Sequence, residues 1–431
     1  MTDHNIRDKS SNNKPKTIAT GVTDFDFLIK SGGAYIDKTW YIRELLTCMS
    51  PMFLLTRPRR FGKTLLVDTI EQALLGNKKP FEGLYICSNE AQYDFLGSHV
   101  IRLNLYLPGR DASTFDALLK YNIQQIADRY GIKLPEVNSA NSLNCLIEKL
   151  YYSYGSIHLP LEGEPAMPDM RKVAVLIDEY DSPITSNLHN PEKLEIARNV
   201  MFDLYVTLKT ANEAKQLRFV LATGITKFKE FSDFSVNSIL DDITYDPKYS
   251  AVCGFTLDEI RDSLKNEIEE RLPLFVESDQ IAPNSSTNDL LDLLTEWYDG
   301  YSWGNYPKVL NPYSVLKCLK NVSTGRHWYN TGSPSLLQNL LKQNDNYFSM
   351  FDKDITYQGS IPEQDISNIS PHVALLQTGY LTIDLQAPPS NAESKSPDNV
   401  MYQFPKDGMT KPPDDVRVRG GKEVRLSIPN L

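Results

Sequence analysis

The sequence is poor in cysteine, and what it has is scattered. Cys48, Cys87, Cys145, Cys253 and Cys318 are odd in number, far apart and without any CxxC pair. That excludes a disulfide framework or a cysteine zinc site and reads as reduced, intracellular thiols, each a small buried hydrophobe. The six histidines form no HExxH, and none stands near a cysteine at ligand spacing. No zinc-hydrolase or Ser-His-Asp pattern is arguable. No run approaches ~18 uninterrupted apolar residues, so no membrane span is expected. The opening stretch, MTDHNIRDKSSNNKPK, has no apolar segment, so it is no secretory signal. Glycine (22) and proline (26) are too few for collagen-like or low-complexity architectures. Positive charge is short as well. A net charge of -10 argues against a protein whose main work is coating nucleic acid. A soluble cytoplasmic protein is expected, with the nucleus equally open.

What is present is enough for a large core. The chain has 431 residues, 41% hydrophobic and 23% charged, which allows two to four domains at ~100–200 residues each. Residues 1–21 are expected to form a disordered tail. After it, short apolar runs alternate with stretches of helical spacing. Pro51 to Thr56 (PMFLLT) reads as a buried strand, and the helical pattern TLLVDTIEQALLG starts at Thr64. Further strands are expected at 100–105, 173–177, 218–223 and about 242–245. Helices are expected over Ser113 to Tyr130 and Glu192 to Ala211. Runs such as VAVLI are typical of parallel strands covered on both faces. Strands alternating with helices imply βαβ units and a parallel sheet. From about Thr256 helices dominate to about Gln343. Val373 to Leu385 then reads as helix end, turn and strand, and EVRLSIPNL as a closing strand.

Between the first strand and its helix lies Arg57-Pro58-Arg59-Arg60-Phe61-Gly62-Lys63-Thr64. Its position and ending are those of a Walker A loop, GxxxxGK[ST]. Glycine lets the backbone approach phosphate, the lysine reaches the β/γ-phosphates, and the hydroxyl binds Mg²⁺. The following helix N-terminus adds N–H donors and a favourable dipole. Arg57 stands where the first glycine is usual. A bare GKT is weak alone, and the other reading is a basic turn with a solvated lysine. The candidate nucleotide contacts are Arg59, Arg60, Phe61, Gly62, Lys63, Thr64 and Leu65. Arg59 and Arg60 read equally well as phosphate contacts or as structural ion pairs.

The acidic pair Asp178-Glu179 ends the apolar run of strand three. Open parallel sheets bind ligands at that edge. There an aspartate can hold Mg²⁺ and an adjacent glutamate can activate water. The plainer reading is a helix cap and a solvated carboxylate. Thr223, at the end of the next strand, reads either as a sensor of the γ-phosphate or as turn chemistry before Gly224. The candidate catalytic set is Lys63, Glu179 and Thr223, with Thr64 and Asp178 as metal ligands.

Together these segments resemble the AAA-ATPase-like proteins, whose phosphate loop reads RPRRFGK[ST] without the first glycine. The resemblance also rests on YIDKT (35–39), PFEGLYI (80–86), VLIDEYDSPI (175–184) and FVLATGITKF (219–228). DDITYDPKYSAVCGFTLDEI (241–260), WYDGYSW (297–303), NPYSVL (311–316), HWYNTGSP (327–334), LLQTGYLTI (375–383) and VRLSIPN (424–430) continue it. It covers residues about 22–431. It implies a P-loop ATPase core over 22–255 with sheet order 5-1-4-3-2, a helical lid over 256–345 and a winged-helix-like module over 346–431. It implies ATP and Mg²⁺ as cofactors and an ATPase acting on an unnamed macromolecular partner. Relatives often continue into a nuclease-like domain. Glu393-Ser394-Lys395 has the E-x-K form but sits in a Ser/Pro-rich loop, so no nuclease site is assigned.

Three lesser sets complete the reading. Asp37, Lys38 and Thr39 either edge an adenine pocket or cap a helix. Trp297, Tyr298, Tyr301 and Trp303 read as core between helices before they read as a stacking surface. Lys406 to Lys411 with Arg417, Arg419 and Lys422 is mildly basic but interrupted by Asp414 and Asp415. Arg218 begins a strand at the wrong sheet end for a catalytic arginine. Two alternatives stand beside the ATPase. One is a nucleotide-binding switch with little turnover. The other is a nucleic-acid-associated module through the C-terminal winged helix. Oligomeric state stays open.

Overall fold

The computed structural model describes residues 15–106, 112–153, 171–188, 190–228, 240–303, 307–328, 355–358, 370–384 and 423–427. The N-terminal half runs α1 (Phe25–Lys30), α2 (Thr39–Thr47), β1 (Met52–Thr56), α3 (Lys63–Leu74), β2 (Val100–Asn104), α4 (Ala112–Arg129) and α5 (Ser139–Ser153). It continues through β3 (Val173–Asp178), α6 (Ser182–Thr185), α7 (Pro191–Glu213), β4 (Leu217–Gly224) and β5 (Asp241–Asp242). The five strands form one all-parallel sheet in the order β2-β3-β4-β1-β5, the expected order read from its other edge.

The period of two in the strands explains why the sheet is covered on both faces. Met52 and Leu54 of β1 point to one core with Val173, Val175 and Ile177 of β3 and the apolar stripes of α4, α5 and α7. Phe53 and Leu55 point to the other, with Ala174, Leu176, Phe219, Leu221 and the inner face of α3. Each fully buried Leu, Ile, Val or Phe contributes roughly 1.5–3 kcal/mol. A single polar substitution in β1 or β3 therefore damages one of two cores. Because parallel strands share their direction, the C-terminal ends of β1, β2, β3 and β4 open on one edge.

Several boundaries differ from the sequence reading for local reasons. β5 was expected at 242–245 but spans only two residues. Asp242 Oδ1 accepts from Thr244 N, and the Thr244 hydroxyl accepts from Thr56 N, so side chains replace the ladder. Helix α5 has no counterpart in the sequence reading. Of the expected tail 1–21, Thr17 pairs with Gly33, and Ile18 is buried among the helices that follow residue 256; residues 1–14 lie outside the described residues.

Those helices are α8 (Leu257–Ser263), α9 (Lys265–Glu277), α10 (Thr287–Tyr298) and α11 (Pro312–Asn321). Sequence sets their starts. Thr256 and Glu259 form a reciprocal capping box at α8. Asn311 caps α11 through Ser314 N, with Pro312 at the first helical position, where no N–H is needed. They share a third core with Ile18, Ala34 and Ile36, so the N-terminal segment packs against these helices. Last come β6 (Ile355–Gln358), α12 (Pro371–Thr378), β7 (Thr382–Asp384) and β8 (Glu423–Ser427), with a small antiparallel sheet ordered β6-β8-β7. The remainder of the expected winged-helix-like module lies outside the described residues. So do the basic positions 406–422 and Glu393-Ser394-Lys395.

Candidate active site

The loop from β1 to α3 is built on two left-handed residues, Arg60 (φ 69) and Gly62 (φ 93). A side chain at Gly62 would meet nothing within 4 Å, so glycine is needed there for its backbone angle and not for space. The turn delivers Lys63 into the first turn of α3, where the free N–H groups of a helix start collect. Lys63 is buried, and its Nζ donates to the carbonyls of Arg57 (2.9 Å) and Pro58 (3.1 Å).

Arg57 explains how the loop manages without its first glycine. It is 1% exposed. Its guanidinium donates to the carbonyls of Thr56 (2.9 Å), Thr244 (2.8 Å) and Tyr249 (2.9 Å) and lies 4.4 Å from the Trp303 ring centre. Burial pulls its pKa down to about 10. It rivets the loop to the segment after β5 and to the aromatic ring of Trp303. Phe61 is the second rivet. Its ring meets Tyr301 and Trp303 edge-on at 4.9 and 5.1 Å, so only its main chain is left to the loop. Phe61 O accepts from Gly254 N.

Asp178, Glu179 and Thr223 meet on the same edge. Asp178 is buried. Its Oδ1 accepts from the Thr223 hydroxyl at 2.7 Å and from Glu179 N at 3.1 Å, while Oδ2 is buried without a hydrogen-bond partner. From the sequence Thr223 reads either as a γ-phosphate sensor or as turn chemistry before Gly224. Its hydroxyl is committed to Asp178, so it orients that carboxylate. Glu179 is half-buried and left-handed (φ 56), a conformation that non-glycine residues adopt rarely and that marks functional turns. Asp181 locks the turn from the other side by accepting from Ile225 N (3.2 Å) and Thr226 N (2.8 Å). Burial, then the Glu179 charge, push its pKa up to about 6. Gly224 allows this packing, since a Cβ there would lie 2.4 Å from Asp181 Oδ1 and 2.5 Å from the Tyr180 ring.

These groups border a cavity of about 400 Å³. Arg59, Arg60, Phe61, Gly62, Lys63, Thr64, Leu65, Asp178 and Glu179 all line it, and Thr223 stands behind Asp178. Three wall segments were missed by sequence reasoning. One is 19–23 with Leu28 and Ile36, one is Val252 to Phe255, and one is Pro312, Tyr313 and Leu316 of α11. They make an apolar slot beside the loop. Asn104, in register with Asp178 at the end of β2, also lines the cavity. Of the trio 37–39, Asp37 and Thr39 are structural. Asp37 accepts from Thr39 N and its hydroxyl and from Tyr85 N. Lys38 reaches the cavity wall, but its Nζ is ion-paired to buried Glu259 at 2.6 Å and ties the core to α8. Arg218, at the opposite end of β4, donates to Leu96 O and Ser98 Oγ. No group of three or more His, Cys, Asp or Glu at metal-binding spacing occurs among the described residues. No helix among them is long and apolar enough to cross a membrane.

Comparison with known proteins gives a family and a relative. A family model described as "Predicted AAA-ATPase" matches residues 19–234, which spans the loop, Asp178-Glu179 and Thr223. An uncharacterized protein from the vnfD 5' region of Azotobacter chroococcum mcd 1 is 28% identical over 352 residues. The match takes in 81% of this chain and 60% of that protein's own length.

Proposed function

The chain belongs to the AAA-ATPase-like family, and from that premise we propose that it binds ATP with Mg²⁺ and hydrolyses it in this cavity. The observation that carries the proposal is the buried Oδ2 of Asp178, which has no hydrogen-bond partner while Oδ1 accepts from two donors. An unpaired buried acceptor costs roughly 1–3 kcal/mol, more when charged. A divalent cation removes that penalty. Asp178 and the Thr64 hydroxyl are hard oxygen donors of the kind Mg²⁺ takes, one or two from protein and the rest from water and phosphate. Held by Asp178 and Thr64, Mg²⁺ would supply the positive charge that neutralises what develops on the transferring phosphoryl group.

The chain's own residues supply the rest. The apolar slot of Val22, Leu28, Ile36, Phe255 and Leu316 takes the base. The free N–H groups at the start of α3 and the Lys63 ammonium face the phosphates, Lys63 leaving the loop carbonyls it now holds. Glu179 accepts a proton from water as the water oxygen bonds to the γ-phosphorus. The bond to the β–γ bridging oxygen breaks, and its electron pair leaves on ADP. Thr223 and Asp181 keep Asp178 and the β3 turn in place.

Coupling to a partner follows from what Lys63 holds. Releasing the Pro58 carbonyl frees a residue that packs against Gly379, where an added Cβ would lie 2.9 Å from Pro58 Cβ. Gln377 accepts from Lys227 N just beyond β4, and Thr382 accepts from Ser302 N. Phosphate contact at the loop therefore bears directly on α12 and β7, which would carry the change outward. The test is equilibrium ATP binding with and without Mg²⁺. Mg²⁺ is expected to tighten binding to wild type and to lose that effect in Asp178→Asn. Equal affinity with and without Mg²⁺ in wild type would overturn the metal assignment.

A further inference from the structure

We propose that Arg59 supplies, within the same chain, the positive charge that the γ-phosphoryl group needs in the transition state. The proposal rests on the ATPase reading above and names a catalytic residue for it. Phosphoryl transfer spreads charge over the γ-oxygens, and an arginine aimed there is worth about 10³–10⁵ in kcat. Arg59 and Arg60 are the arginines that line the cavity among the described residues. Arg57, two residues before, is spent on three main-chain carbonyls and Trp303. Arg60 is exposed, and its guanidinium lies 4.9 Å from the Tyr313 ring centre on α11, a hold on the lid.

Arg59 is left. It is half-buried, and its Nε is buried without a hydrogen-bond partner. No carboxylate pairs with it among the described residues. A guanidinium that lines a cavity with no internal anion is a binding group awaiting one. Arg59 shares the cavity lining with the groups of the reaction. Pro58, the residue before it, gives its carbonyl to Lys63 Nζ, and Glu179 borders the same cavity. Pro58 is itself buried against Gly379, so the main chain that carries Arg59 is fixed on its far side. Placing the arginine in the loop makes the site complete in one copy of the chain, with no arginine borrowed from a neighbour.

The experiment uses the purified full chain, Mg²⁺ and ATP. Single-turnover phosphate release and ATP affinity are measured for wild type, Arg59→Ala and Arg59→Lys. Arg59→Ala is then mixed with Glu179→Gln, which keeps Arg59 but lacks the base. The expected result is a fall in kcat of ~10³ for Arg59→Ala, with ATP affinity changed less than about tenfold. Arg59→Lys recovers only part of the rate, because an ammonium cannot reproduce the fork. The mixture stays inactive, and wild-type specific activity is independent of protein concentration. Arg59→Ala within about threefold of an active wild type overturns the proposal and leaves the ATPase reading standing. Rescue in the mixture, or specific activity that rises with concentration, also overturns it, because the cation then comes from another copy. A wild type without turnover, alongside an equally silent Glu179→Gln, overturns both.

Discussion

Restoring the general Walker A glycine should damage this protein. Arg57→Gly strips the carbonyls of Thr56, Thr244 and Tyr249 of their shared donor in a site 1% exposed. Each unpaired buried carbonyl costs about 1–3 kcal/mol. Loss of the desolvated contact with Trp303 adds about 2 kcal/mol, and glycine adds ~0.5–1 kcal/mol of backbone entropy. Against this, removing a cation whose pKa burial lowers from 12.5 to about 10 relieves roughly 3 kcal/mol. The net is a loss of roughly 2.5–9 kcal/mol, a large share of the ~5–15 kcal/mol that holds a typical fold together. Urea unfolding of wild type and variant measures it directly. Arg57→Met separates the causes. It keeps most of the packing but none of the donors, so it should lose nearly as much as glycine. Arg57→Gly within ~1 kcal/mol of wild type would refute the reasoning.

Three other outcomes are expected. Asp181 has a folded pKa raised from 3.8 to about 6, so its contribution to stability is present below the unfolded value and lost as pH rises through the folded one. Asp181→Asn removes that term, so its stability deficit relative to wild type, read by denaturant midpoints, should shrink between about pH 4 and pH 7. Glu179, Lys63 and Tyr205 are the titratable neighbours to hold in view. Thr223→Val removes the donor to Asp178 Oδ1 and should weaken the Mg²⁺ dependence of ATP binding by about 10–100-fold, as loss of an outer-sphere partner does. Gly379→Ala forces a side chain into the left-handed region (φ 87) and against Pro58, and should cost ~1–3 kcal/mol in thermal melts. Pro58→Ala in that background removes only the Cγ contact at 3.0 Å and keeps the Cβ contact at 2.9 Å, so it should recover little.

Much of the frame was legible in the sequence because it is local. The alternation within Met52–Thr56 and Val173–Asp178 has two apolar faces, which only a strand covered on both sides wants. Gly62-Lys63-Thr64 lies beyond such a strand and Asp178-Glu179 at the end of one, so the sequence puts both at the sheet edge. The misses have physical reasons. Helix α5 carries Leu143, Leu146, Ile147 and Leu150 at helical spacing, but its Ser and Asn start resembles a loop. β5 was misjudged because Asp242 and Thr244 make side-chain bonds that no propensity reports. Arg57 was read as a departure from a consensus. Its burial under Trp303 depends on a fold-level contact that no local pattern encodes. The base slot was invisible for the same reason. Val22, Phe255 and Leu316 come from three distant segments, and each alone looks like ordinary core.

Steady-state phosphate release from ATP, with and without Mg²⁺, tests the central claim most directly when run beside Lys63→Ala and Glu179→Gln. The account requires Mg²⁺-dependent turnover in wild type. It also requires loss of turnover in both variants, with ATP retained unhydrolysed on Glu179→Gln because only the base is missing. Turnover in Glu179→Gln equal to wild type, or phosphate release indifferent to Mg²⁺, would contradict it.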